Sequence, residues 1–226
     1  MALLQAINRP IFINTAKSLW ARSLETSTAS ILYPALQPKL RPCLRSNCIE
    51  KSHIISMTLE SSKIIPDVVD HVKKTKIKMD IKYKYDHVEN GVTLRPDHAH
   101  STPAVHLTGT VDNRLYTIVM SDPDPPDPAK PVFREWLHWI VVNIPGADGG
   151  EAAKGTEITP YMGPAPPIGT HRYAFLLFEQ PNQEPLEVED PSGGQKDGRK
   201  NFNTRQFAKQ YGLGDPVTAM YFLSHK

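Results

Sequence analysis

With 226 residues the chain can build one good-sized domain plus an extension, and its apolar runs all fall short of the ~20 residues that span a bilayer. Its net charge of +2 divides unevenly: residues 1–56 carry seven Lys/Arg against Glu25 and Glu50, or +5, while residues 57–226 carry 19 against 22 acids, or −3. A slightly acidic domain argues against a nucleic-acid surface, and with both cysteines, Cys43 and Cys48, ahead of it the domain has no thiolate nucleophile and no Cys-type zinc site.

Residues 1–56 are rich in Ser, Thr, Arg and Leu and poor in acids. That is the composition of an organellar transit peptide, or of an unstructured leader, and it predicts little contribution to the core. Pro66–Val72 reads as a short helical turn. In Lys76–Tyr85 the residues Ile77, Met79, Ile81, Tyr83 and Tyr85 alternate with polar ones, which predicts a strand with one wet face. Its lysine row guards an edge against pairing. Asn90-Gly91 is a tight-turn signal, and His98 and His100 belong to a solvated loop. Pro103–Thr110 and Leu115–Met120 are further strands.

Ser121 to Pro131 then holds five prolines and three aspartates, Asp122, Asp124 and Asp127, ahead of the apolar strand Trp136–Ile144, which carries His138. Proline has no N–H and a fixed φ, so this loop neither extends a sheet nor forms a helix. Pro164–Tyr173 repeats the device: prolines, then His171, at the head of the strand Tyr173–Phe178. One reading is a pair of surface turns whose aspartates bond their own backbone. The other, favoured by the repetition, is one polar site assembled from both loops. In that reading Asp122 orients His138 and raises its pKa, His171 donates from the opposite wall, and Tyr173 adds a hydroxyl. Pro181–Lys200 is a long mobile loop, Asn203 caps the helix Thr204–Tyr211, Gly212 ends it, and Thr218–Leu223 is the last strand. Many strands and only short helices predict a mainly β, antiparallel sandwich.

The residues DPDPP and REWLHW, followed by GTHRY, resemble the signature of the phosphatidylethanolamine-binding protein family, which includes the Raf kinase inhibitor proteins. The stretch Asn201–Phe222 resembles the plant branch of that family, and REWLHWIVV with PYMGPAPPIGTHRY is most similar to its mother-of-FT-and-terminal-flower group. The resemblance runs from about Ile65 to Phe222, and Met57 stands where such proteins begin, so it implies a domain over 57–226. It implies a Greek-key β-sandwich with small peripheral helices, cis peptides at Pro125–Pro126 and Arg134–Glu135, and no cofactor. Its anion-binding pocket carries over onto Asp122, Asp124, Pro126, Trp136, His138, Pro166, Pro167, His171 and Tyr173, with Phe133 in place of the tyrosine of animal members.

The implied function is non-catalytic binding of a phosphate-bearing small molecule or phospholipid headgroup, coupled to protein partners in developmental signalling (flowering, germination). Alternatives are a protease or kinase inhibitor, and a hydrolase using Asp122, His138 and His171, although no Ser or Cys sits in a nucleophile motif and no metal set is evident. Of the family's surface for 14-3-3 adaptor proteins only Pro145 matches; Asn113, Gln183 and Lys154 replace its other residues, which weighs against that partner. Direct nucleic-acid binding is not expected, and membrane contact is at most peripheral. The expected location is the cytoplasm, with the nucleus by family, or a mitochondrion or chloroplast if residues 1–56 direct import.

Overall fold

The structure is a computed structural model, and it describes residues 58–226. The leader expected over residues 1–56 lies outside them. Eight strands account for the fold: β1 Lys78–Lys82, β2 Val92–Thr93, β3 Ala104–Thr108, β4 Leu115–Asp122, β5 Trp136–Pro145, β6 Thr156–Thr159, β7 Thr170–Glu179 and β8 Thr218–His225. Six form one sheet in the order β2-β8-β7-β4-β5-β6, and β1 pairs with β3 in a separate two-stranded sheet. The fold is mainly β, as expected, but not antiparallel throughout: β2 runs parallel to β8, so the large sheet is mixed.

Side-chain alternation explains the layering. Tyr116, Ile118 and Met120 of β4 and Tyr173, Phe175 and Leu177 of β7 share one face, where they pack with Met79, Ile81, Val105 and Leu107 of the small sheet. Val119, Ala174, Leu176 and Phe178 face the other way, towards Leu59, Ile64, Val68, Phe207 and Leu213. β4, β5 and β7 are therefore buried on both faces, which is why they read as continuous apolar runs. β1 keeps its wet face, with Met79 and Ile81 in and the lysines out, but the strand ends at Lys82 and Tyr85, placed on the apolar face by the sequence, is 66% exposed.

The helix is Thr204–Gln210, with the Asn203 side chain accepting from the Gln206 N–H at 2.8 Å and Gly212 at φ +65° behind it. Glu135 docks its start onto the sheet: this buried carboxylate accepts from Ser121 Oγ at 2.6 Å and from the Thr204 N–H and hydroxyl. The loop Pro181–Lys200 is not free, contrary to its reading as mobile. Leu186 bonds Asn143 through both its N–H and its carbonyl, Asp190 accepts from Thr159 Oγ1 at 2.6 Å, and Arg199 is buried.

Candidate functional site

β4 and β7 are neighbours, and their register brings the end of one beside the start of the other. Asp122, the last residue of β4, is 3% exposed, and His171 of β7 is 0% exposed. Asp122 Oδ2 accepts from His171 Nδ1 at 2.7 Å, and Oδ1 accepts from the Asp124 N–H at 2.8 Å. His171 Nε2 donates to the Ile168 carbonyl at 3.1 Å. Carboxylates and carbonyls only accept, so these two contacts favour the doubly protonated, imidazolium form of His171. Burial pulls its pKa down, but the hydrogen bond and charge of Asp122, with Asp124 and the Ile168 carbonyl, outweigh that and raise it above 6.5. The expected Asp122–His138 pair is thus replaced by Asp122–His171.

A bulge explains where His138 goes instead. Met120 pairs with Trp139 but Ser121 with Leu137, so His138 is the extra residue of β5. In a regular strand His138 and Trp139 would face opposite ways. Here the His138 ring meets Tyr173 edge-on at 5.1 Å, and Trp139 meets Tyr161 at 5.7 Å, on the same side. His138 Nδ1 donates to the Met162 carbonyl at 2.6 Å, which leaves Nε2 without a hydrogen-bond partner among the described residues. Burial depresses the His138 pKa below 6.5; Asp122 and the Met162 carbonyl oppose this without cancelling it, and the charges of Arg199 and His171 add to it. The expected upward shift from Asp122 is therefore corrected, because desolvation outweighs it. His138 is neutral at pH 7, with Nε2 an acceptor until it is protonated.

The two histidines set opposite pH slopes. The raised pKa of His171 means that the folded state binds the extra proton above pH 6.5, so its stabilisation is present below that and is lost as pH rises through the folded pKa. The lowered pKa of His138 means that the unfolded state binds more protons below pH 6.5, so stability also falls as pH drops from there. Urea unfolding across this range is expected to give a maximum near neutrality, and His138→Asn to flatten the acid flank while leaving the alkaline one. An unchanged acid flank would show that His138 is not buried neutral.

Tyr173, 1% exposed, stacks between His171 at 6.4 Å and Phe222 at 5.0 Å. Burial, with Asp122 nearby, pushes its pKa far up, so it stays a neutral hydroxyl. Trp136 and Pro126 are half-buried, Pro166 is buried and Pro167 is exposed. Lys200 Nζ sits 5.1 Å from the Phe133 ring and 6.0 Å from that of Trp136. Pro125–Pro126 and Arg134–Glu135 are both cis, and Ile65–Pro66 is a third.

Asp124 does not join Asp122. It belongs with Arg172, whose side chain alternates to the face opposite His171 and Tyr173. Its Oδ2 accepts from the Arg172 backbone N–H at 2.8 Å and from Nε at 2.9 Å, and its Oδ1 from Nη2 at 2.6 Å. Arg172 also donates to Asp67 and to the Ser62 carbonyl. Among the described residues the Asp127 carboxylate accepts only from the Ala129 N–H in its own turn. The site therefore gathers Asp122, His138, His171 and Tyr173 and turns the carboxylate of Asp124 away. A cleft of about 590 Å³ on the Arg172 side is lined by Asp124, Arg134 and Arg172, and another of about 440 Å³ lies between the long loop and the helix; neither is lined by His138 or His171. The residues that sequence reasoning missed are the carbonyls of Met162 and Ile168, which carry no side-chain signal, and Arg172 and Arg199.

Residues 73–222 match the family described as phosphatidylethanolamine-binding protein. The chain is 42% identical over 164 residues to Protein MOTHER of FT and TFL1 homolog 2 of Oryza sativa subsp. japonica, covering 73% of this chain and 90% of that one. It is 41% identical over 160 residues to Protein TERMINAL FLOWER 1 of Arabidopsis thaliana, covering 71% and 85%. Among solved structures, the carboxypeptidase Y inhibitor complexed with its cognate proteinase superposes with a TM-score of 0.67 at 23% identity, over 80% of this chain and 99% of that one.

Proposed function

Because the chain belongs to the phosphatidylethanolamine-binding protein family, we propose that it is a non-catalytic regulator of the plant developmental-signalling kind, whose pocket at His138, His171 and Tyr173 receives a phosphate-bearing headgroup. The relatives that it matches are plant regulators. We read the strand order β7-β4-β5-β6 as the family's Greek-key sandwich, since three consecutive strands are followed by a fourth beside the first.

The observation that carries the ligand reading is the free Nε2 of a neutral, buried His138 beside a His171 whose charge Asp122 already balances. An anion there is met by the Tyr173 hydroxyl and by a histidine that gains a proton as the ligand arrives. The same geometry removes His171 from the hydrolase reading. Both of its ring nitrogens are engaged by acceptors, so it has no proton to trade. Protease inhibition rests on the fold of one neighbour alone and stays secondary. A protein partner in the cytoplasm or nucleus is part of the proposal; a 14-3-3 adaptor is not.

Calorimetric titration with glycerophosphoethanolamine tests it, because a phosphodiester keeps its charge over the relevant range. Binding is expected to be tighter at about pH 5.5 than at about pH 7.5, since an anion favours the charged form of a histidine that titrates below its ordinary value. No binding at either pH, or equal affinity at both, would refute the reading.

A further inference from the structure

Arg199 lies near the end of the long loop, in the 3-10 turn Asp197–Arg199, and is 7% exposed. Among the described residues its guanidinium bonds to backbone only. Nη1 donates to the carbonyls of Leu137 at 3.1 Å and His138 at 3.0 Å, and Nη2 donates to that of Pro160 at 2.7 Å. No carboxylate among the described residues forms an ion pair with it; Asp190 and Glu157 act on it only from farther away. Two consecutive carbonyls cannot both face one donor in a regular strand, where successive peptide groups point to opposite sides. They do so here because His138 is the bulged residue. The bulge turns both carbonyls towards one donor, and buried backbone carbonyls require partners. The His138 carbonyl already accepts from the Met162 N–H at 2.9 Å; Arg199 adds a second donor there and serves the Leu137 carbonyl, together with a positive charge that Asp122 and His171, neutral as a pair, do not provide.

We propose that Arg199 is the positioning residue of the anion site: it clamps the bulge that aims His138 at the pocket, and its unpaired charge biases the pocket towards anions. The inference rests on the proposed ligand reading for its second half only. It also makes the loop Pro181–Lys200 part of the site, since whatever displaces the loop withdraws the clamp.

The groups that face His138 are Asp122, His171, Arg199, the Tyr173 ring and the Met162 carbonyl, so a change at Arg199 alone can be read on its imidazole. The test uses the full chain with Arg199→Met, which loses both charge and fork, and Arg199→Lys, which keeps the charge but not the planar fork. NMR titration of the His138 ring is measured without ligand, and glycerophosphoethanolamine affinity by calorimetry. In Arg199→Met the His138 midpoint is expected to rise towards ~6.5 and affinity to fall on the order of tenfold, the scale of one partly screened charge. Arg199→Lys is expected to fall between the two in both measurements, and it is the variant read if Arg199→Met no longer unfolds cooperatively. A folded variant with the wild-type midpoint, or with wild-type affinity, overturns the inference. A wild-type protein that binds no phosphodiester overturns the ligand reading instead, and the ligand-free midpoint then still decides whether Arg199 holds His138.

Discussion

Asp122→Ala is expected to lower the unfolding free energy by about 3–5 kcal/mol and to abolish phosphodiester binding. The magnitude follows from burial on both sides of the bond. Asp122 and His171 are almost fully enclosed, and the imidazolium gives one proton to the carboxylate and the other to the Ile168 carbonyl. Without Asp122 the ring either stays charged with no counter-ion or gives up its proton and leaves the Ile168 carbonyl or Nδ1 mismatched. The Asp124 N–H also loses its acceptor at the entrance of the proline loop. Asp127→Ala, five positions along the chain from Asp122, loses one bond within a turn and is expected to cost no more than about 1 kcal/mol. Urea unfolding of the two variants beside His171→Asn decides the matter. Small and equal effects would mean that the loop is only a turn.

Arg172→Met is expected to be of similar size, about 3 kcal/mol or more, because it strands the buried carboxylate of Asp124. Arg172 ties three separate pieces together: Asp124 on the proline loop, Asp67 on the turn Ile64–Asp67, and the Ser62 carbonyl before it. Among the described residues the other cation paired with Asp124 is Arg134, at 3.7 Å, and its Nε already donates to the Pro123 carbonyl. Arg172→Lys keeps the charge but cannot present the fork that meets two carboxylates and a carbonyl, so it is expected to recover only part of the loss. Hydrogen exchange supplies a local readout: amides of residues 64–69 should exchange faster in Arg172→Met. Unchanged exchange there, with unchanged stability, would show that the turn is held by its apolar contacts, Ile64 and Val68 above all.

Much of this was legible in the chain itself. Apolar runs gave β4, β5, β7 and β8, alternation gave β1, and Asn203 and Gly212 bracketed the helix. Proline content gave the two rigid loops, and each does deliver its histidine to the head of a strand. The pairing within the site was not legible. Asp122 and His138 are 16 positions apart and Asp122 and His171 are 49 apart, and neither spacing says which ring the carboxylate meets. That choice depends on strand order, which places β7 beside the end of β4, and on a bulge that no side chain announces. Asp124 was misplaced for a related reason: Arg172 sits between two pocket residues in sequence but on the opposite face of β7, and the aspartate follows it. β2 and β6 escaped notice because two and four residues give too little pattern to read. The long loop looked free because its anchors, Asp190 and Arg199, bond to backbone and hydroxyl groups that composition does not reveal.

The most direct measurement of the central claim is the protonation state of each imidazole nitrogen, read by nitrogen NMR on the full chain with and without glycerophosphoethanolamine. At about pH 7 the free protein should show His171 protonated on both nitrogens and His138 on Nδ1 alone. Saturation with the phosphodiester at a mildly acidic pH should add a proton at His138 Nε2 and leave His171 as it was. A neutral His171 in the free protein, or a His138 that does not respond while the ligand binds, would contradict the account and place the anion elsewhere on the molecule.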